Sequence, residues 1–269
     1  MLEISNLLSE VIMKNYKNSE LNRFYQTKLR MINKLKKDDE FKKKSLDWMI
    51  YAEKYRYVYN FTWLGFPIIK YPNDIIALQE IIWTTKPDIV IETGIAHGGS
   101  IIFIASLLNM IKKNAKVIGI DIEIRKHNLK LIKNSIFYKK NIELLQSSST
   151  DPRLISKLKK ICKNKTVMVI LDSAHSHDHV LSELEVYSQL VTKNQYLVVE
   201  DTFEEFYPKN FFNYLTTSKV RQETNKGNNP MTAMREFLKK NKKFSTNNEF
   251  NKKLGITQNF DSYLLKKKN

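Results

Sequence analysis

Two uninterrupted apolar runs, Val167-Met168-Val169-Ile170-Leu171 and Tyr196-Leu197-Val198-Val199, constrain this chain more than any other feature. A strand with one face in water alternates apolar and polar residues, so a run with no polar position must be covered on both faces. The runs sit within strand-like stretches at 166–172 and 195–201, and similar stretches precede them at 88–93, 116–121 and 141–145. Helical patterns lie between, near 99–112, 126–137, 152–163 and 178–191. This alternation predicts an α/β chain, a mainly parallel sheet with helices on both faces. Ligands of such sheets bind beyond the carboxyl ends of the strands. The last residue of each strand is therefore where chemistry is expected.

The first strand runs into Glu92-Thr93-Gly94-Ile95-Ala96-His97-Gly98-Gly99-Ser100. The chain has 7 glycines, and three fall at Gly94, Gly98 and Gly99, a concentration that favours a ligand loop over an ordinary βα turn. The fit of Gly94-x-Ala96-x-x-Gly99 to a dinucleotide fingerprint is weak. Glu92 would repel a pyrophosphate but would attract the ammonium of a methionine moiety. The loop therefore points to S-adenosylmethionine rather than NAD, with Glu92, Gly94, Ala96, His97, Gly98, Gly99 and Ser100 around it. Asp121 ends the second strand, where a carboxylate accepts hydrogen bonds from both ribose hydroxyls. The competing role is a cap for the next helix.

The fourth and fifth strands end in Asp172 and in the pair Glu200-Asp201. Carboxylates so close repel unless a cation intervenes, and hard cations such as Mg²⁺ take oxygen ligands of this kind. Helix capping and a surface acidic pair is the alternative. His175, three residues beyond Asp172, suits a general base beside an activated hydroxyl. His177 and His179 follow at a spacing that fits a zinc tetrahedron poorly, and read as helix-start or solvent-facing residues.

Residues 1–60 read as helices, with Ile4, Leu7, Leu8, Val11 and Ile12 at helical spacing and a polar break at Lys36-Lys37-Asp38-Asp39. Asn73 or Asp74 is expected to cap the helix carrying Ile75, Leu78 and Ile82. The stretch from Phe203 to Pro230 reads as a long lid over the strand ends, followed by a helix over 231–241. Gly255-Ile256-Thr257 and Tyr263-Leu264-Leu265 read as two final strands. No run approaches the ~18 apolar residues of a membrane span, and the first residues show no secretory signal. Cys162 is the only cysteine, which excludes an internal disulfide. A cytoplasmic protein is expected. The net charge of +17 is spread over scattered lysine clusters. It is compatible with peripheral association with an anionic membrane, and no specific nucleic-acid partner is expected.

From residue 60 to about 266 the chain resembles the cephalosporin hydroxylase or rhamnosyl O-methyltransferase family. The resemblance rests on the glycine stretch with Glu92, on Ile118-Gly119-Ile120-Asp121, on Leu171-Asp172-Ser173-Ala174-His175-Ser176-His177-Asp178-His179, on Val199-Glu200-Asp201-Thr202 and on Lys226-Gly227-Asn228-Asn229-Pro230. It implies a Rossmann-like class I methyltransferase domain over 60–269 with a helical extension over 1–59. It also implies S-adenosylmethionine, a divalent metal on Asp172, Glu200 and Asp201, His175 as base, and homo-oligomers. Nothing in the chain resembles a 2-His-1-carboxylate iron site. The expected activity is methyl transfer to a sugar hydroxyl of a small-molecule or glycan acceptor, with Ser149 of Ser147-Ser148-Ser149 near the adenine. A basic nucleic-acid-binding protein and an NAD-dependent oxidoreductase are the rival readings.

Overall fold

The computed structural model describes residues 19–208, 211 and 224–268. The apolar pattern at Ile4–Ile12 and much of the expected lid lie outside these. Helices α1 (Ser19–Leu35) and α2 (Asp39–Ala52) separate at the polar break, where the Asp38 carboxylate accepts from the Phe41 N–H at 2.8 Å and caps α2. Two 3₁₀ turns follow, then a short antiparallel hairpin of β1 (Thr62–Trp63) and β2 (Phe66–Pro67).

Helix α3 (Pro72–Thr85) starts two or three residues earlier than expected, with Pro72 in its first turn and Tyr71 as its N-cap. Neither Asn73 nor Asp74 caps it. Asn73 donates to the Ile256 carbonyl, and Asp74 is fully buried against Thr257, Gln258 and Tyr263. The alternation then runs through β3 (Ile89–Thr93), α4 (Gly99–Ile111), β4 (Lys116–Asp121), α5 (Lys126–Lys133), α6 (Tyr138–Asn141) and β5 (Ile142–Gln146). It continues with α7 (Pro152–Ile161), β6 (Val167–Leu171), α8 (His177–Tyr187) and β7 (Tyr196–Val199). A 3₁₀ turn at Thr202–Phe206 leaves β7. Helix α9 (Pro230–Lys240) opens with a capping box between Asn229 and Thr232. Last come β8 (Phe244–Ser245), α10 (Phe250–Lys253) and β9 (Tyr263–Lys266).

The strands form one sheet in the order β5-β4-β3-β6-β7-β9-β8, parallel except where β9 meets its two neighbours. The apolar runs are covered on both faces, as their lack of polar positions requires. Val90, Val117, Met168 and Val198 pack on one side with residues of α3 and α4. Ile91, Ile118, Val169 and Val199 pack on the other with residues of α7, α8 and α9. Gly255-Ile256-Thr257 is not a strand; the edge is β8 instead. The Asp74 carboxylate accepts from the Thr257 hydroxyl and from the Gln258 backbone N–H, which turns the Gln258 donor away from any ladder.

The chain winds outward from β3 through β4 to β5, then returns to β3 and winds the other way through β6 and β7. This reversal leaves a crevice at the ends of β3 and β6. A third apolar cluster joins Met49 of α2 to Val58, Tyr71, Phe203 and Tyr207, so α2 is docked at the same end of the sheet. Among the described residues no helix is long and apolar enough to cross a membrane.

Candidate active site

The crevice opens into a pocket of about 240 Å³. One wall is the loop between β3 and α4, contributing Gly94, Ile95, Ala96, His97, Gly99 and Ser100. Its glycines are demanded first by the protein itself. Gly94 has φ +82°, and a Cβ there would lie 1.8 Å from the Asp172 carbonyl oxygen. A Cβ on Gly99 would lie 2.1 Å from the Pro67 carbonyl oxygen of the hairpin. No side chain fits at either position, so the two strand ends and the hairpin close tightly around the loop. Gly98 caps α4 in a left-handed conformation at φ +85°.

Beneath the loop lies Glu92, fully buried. Its Oε1 accepts from the Ser100 hydroxyl at 2.5 Å, and its Oε2 has no partner among the described residues. Burial pushes its carboxyl up to about 7, against the pull of Lys70 and Ser100. A buried carboxylate with a vacant oxygen suits a cationic ligand. Asp121 and Ser149 stand beside this pocket rather than in its lining. Asp121 Oδ2 accepts from the Ile95 N–H at 2.9 Å and Oδ1 from the Glu123 N–H at 3.0 Å, which ties two strand-end loops together. Ser149 is buried; its carbonyl accepts from the Tyr187 hydroxyl at 2.7 Å, and its hydroxyl lies 3.4 Å from His179 Nε2.

The acidic strand ends converge as their positions predict, with an addition that the sequence reading lacks. Lys70, only 2% exposed, reaches in from the segment after the hairpin. Its Nζ is 3.0 Å from Asp172 Oδ2 and 3.1 Å from Glu200 Oε2. Burial works against the ammonium, but Asp172, Glu200 and Glu92 hold its pKa well above the ordinary lysine range. Burial likewise opposes the Asp172 carboxylate, yet Lys70 and His175 bring it down to about 2. Glu200 goes the other way, to about 8, because burial outweighs Lys70.

Asp172, His175 and Asp201 each offer one atom to a cluster whose members lie within 4.8 Å of one another. His175 Nε2 is 3.2 Å from Asp201 Oδ2 and 3.6 Å from Asp172 Oδ1, while Nδ1 is 2.8 Å from Glu204 Oε1. Burial disfavours the imidazolium, but Asp201, Glu204 and Asp172 together hold it protonated well above the usual range. The donor set of two carboxylates and an imidazole fits a divalent cation. Glu200 stands outside that cluster, on the far side of Lys70, with its Oε1 buried and unpartnered.

Two carboxamides absent from the sequence reading brace the acidic pair. The Gln258 side chain donates to Asp201 Oδ1 at 2.8 Å, and that of Asn259 donates to Glu200 Oε2 at 2.9 Å. Asp201 itself is left-handed, at φ +57°. Opposite the loop the pocket is walled by Glu53, Val58, Tyr59 and Tyr207, three of them from the amino-terminal segment. His177 and His179 serve the start of α8. His177 Nδ1 is 2.8 Å from the Thr232 hydroxyl, and His179 Nε2 is 2.9 Å from the Ser173 hydroxyl.

Comparison with known proteins gives three results. The family model described as Rhamnosyl O-methyltransferase/CmcI matches residues 55–267. The rhamnosyl O-methyltransferase of Mycobacterium tuberculosis is 32% identical over 144 residues, 52% of this chain and 56% of that protein. That of Mycobacterium leprae is 33% identical over 144 residues, 52% of this chain and 60% of that protein. The matched stretch thus spans 56–60% of the length of these relatives. Among solved structures, CmcI in an apo form and in an Mg-SAM form each superpose with a TM-score of 0.53 at 18% identity, over 78% of both chains. At that identity the likeness is one of fold.

Proposed function

The chain belongs to the rhamnosyl O-methyltransferase/CmcI family, and we propose that it moves a methyl group from S-adenosylmethionine to a sugar hydroxyl of a glycan, glycolipid or glycosylated metabolite. The observation that carries this reading is the charge of the site. Glu92, Asp172, Glu200, Asp201 and Glu204 converge there around the cationic side chains Lys70 and His175. Oxygens of Glu92, Glu200 and Glu204 lie buried without partners. Unpaired buried carboxylates are costly, so the site is built to receive cations. A methyl donor that carries an ammonium and a sulfonium supplies them on the loop side. A divalent ion supplies them on the Asp172 side. The names of the relatives, and the Mg-SAM form of CmcI, support the same assignment.

S-adenosylmethionine, when bound, provides an electrophilic methyl group, and a divalent ion provides charge to orient the acceptor oxygens. The chain does the rest. Glu92 holds the donor's ammonium through its free Oε2. Asp121 offers its remaining lone pairs to the ribose, and Ser149 stands at the adenine end. Asp172 and Asp201 would carry the carboxylates for the ion, with Glu200 behind Lys70 completing the acidic set, and Gln258 and Asn259 keep Asp201 and Glu200 in place. With that acidic charge taken up, His175 accepts the acceptor's proton at Nε2 while Glu204 fixes the ring at Nδ1. Glu53, Tyr59 and Tyr207 face the acceptor. Holding both reactants in line supplies much of the rate.

The test is transfer of label from methyl-labelled S-adenosylmethionine to a panel of free and glycosidic sugars, with Mg²⁺ and with chelator. Transfer that needs the ion is expected. No calorimetric binding of the donor to protein stripped of carried-over cofactor would sink the proposal.

A further inference from the structure

We propose that Lys70 is a positioning residue of the metal centre, a resident cation that holds Asp172 and Glu200 in place and weakens divalent-ion binding enough to keep the ion exchangeable. The inference rests on the reading of Asp172 and its neighbours as a metal site. It is carried by geometry. One ammonium bridges the ends of two adjacent strands, at 3.0 Å from Asp172 and 3.1 Å from Glu200, and is itself 2% exposed. It comes from outside the sheet, from the residues between β2 and α3, and is anchored on both sides. Ile68 and Tyr71 beside it are each 1% exposed, and Pro72 starts α3. The side chain therefore has no solvent to withdraw into.

A buried ammonium between carboxylates has two consequences for an incoming ion. It takes Asp172 Oδ2 and leaves Oδ1 turned toward His175 and Asp201, so the open donors are set before any ion arrives. It also places a fixed positive charge beside the ion, and repulsion between the two is weakly screened at such burial. Without Lys70 the carboxylates would repel in the empty site and bind a divalent ion more tightly. A purely structural lysine would affect stability and leave ion affinity unchanged.

The experiment is titration of Mn²⁺ into chelator-stripped full-length protein, followed by calorimetry, with thermal melts in chelator and in Mn²⁺. K70M is expected to bind Mn²⁺ at least about tenfold more tightly than the wild type. It is also expected to melt lower in chelator and to gain more from Mn²⁺. K70R keeps the charge and is expected to stay within about threefold of the wild type. K70Q keeps an N–H donor without the charge; it is read for the same tightening if K70M does not fold. Equal or weaker Mn²⁺ binding by a folded, neutral Lys70 variant overturns the proposal. If neither wild type nor variants take up Mn²⁺, the metal reading falls together with the role of Lys70. If only the neutral variants bind, Lys70 excludes the ion instead of keeping it exchangeable, and the proposal is overturned together with the wild-type metal reading.

Discussion

Three groups converge on Asp172: Lys70 at one oxygen, His175 at the other, and the Gly94 backbone packed against its carbonyl. Asp172→Asn keeps the shape and removes the charge. It is expected to abolish ion-dependent methyl transfer while leaving donor binding by calorimetry within about threefold, since the donor's ammonium is assigned to Glu92. Glu92 makes a separate prediction about pH. Its folded carboxyl titrates at about 7 because of burial, above the ordinary value of about 4.5. A raised acid favours the neutral form, so its contribution to stability is full below pH 4.5 and is lost as pH rises through 7. Binding of a cationic donor needs the ionised form, so donor affinity should rise with pH between roughly 5 and 7 and then level off. Glu92→Gln should weaken donor binding and flatten that rise; a pH-independent affinity in the wild type would separate Glu92 from the donor. These carboxylates were legible because each closes a run of apolar residues, where a charge has no structural reason to be. Lys70 was not. It is a single lysine in an irregular aromatic stretch, where no period says which way a side chain points. Gln258 and Asn259 escaped for the same reason.

Elements were legible where the hydrophobic period was strong. The five parallel strands sit within a residue or two of their expected bounds; in β6 and β7, covered on both faces, no polar position confuses the count, while the partly exposed edge strand β5 carries Glu143. The carboxy-terminal segment is different. Its structure depends on a partner more than 180 residues away, the Asp74 carboxylate of α3, which accepts from the Thr257 hydroxyl, the Gln258 N–H and the Tyr263 hydroxyl. No local pattern announces such a bond. Asp74 thereby joins a helix start, the strand β9 and the segment of the two carboxamides that brace Asp201 and Glu200. Asp74→Ala would leave several buried donors unsatisfied and is expected to destabilise the fold by about 2–4 kcal/mol. It should also weaken ion binding, because Gln258 and Asn259 lose their anchor. Chemical denaturation together with Mn²⁺ titration reads both. A loss of stability with unchanged ion affinity would show that the carboxamides do not depend on Asp74.

At the scale of the whole molecule, the boundary that resemblance suggested near residue 60 runs through shared apolar packing. Met49 is completely buried and meets Val58, Tyr71, Phe203 and Tyr207, which come from both sides of that boundary. Phe41 fills the space beside Gly255, where a Cβ would come within 2.2 Å of its ring, and Lys28 pairs with Glu249 at 2.8 Å. The helices at the amino terminus are therefore one layer of the fold, and they put Glu53, Val58 and Tyr59 into the pocket wall. The side of the pocket proposed for the donor is made by β3 and β6, so the two sides should respond differently to damage. Met49→Ala should cost about 2–5 kcal/mol of stability. In the folded fraction it should raise KM for the acceptor more than the dissociation constant of S-adenosylmethionine, because the cavity lies behind Tyr71 and Tyr207 and not behind the glycine loop. A chain trimmed to residues 60–269 would expose the same aromatic cluster and should fail to fold cooperatively. If the trimmed chain instead melted like the full chain and methylated the same acceptor with the same KM, the extension would be an independent appendage, and the pocket wall assigned to it would have to be sought elsewhere.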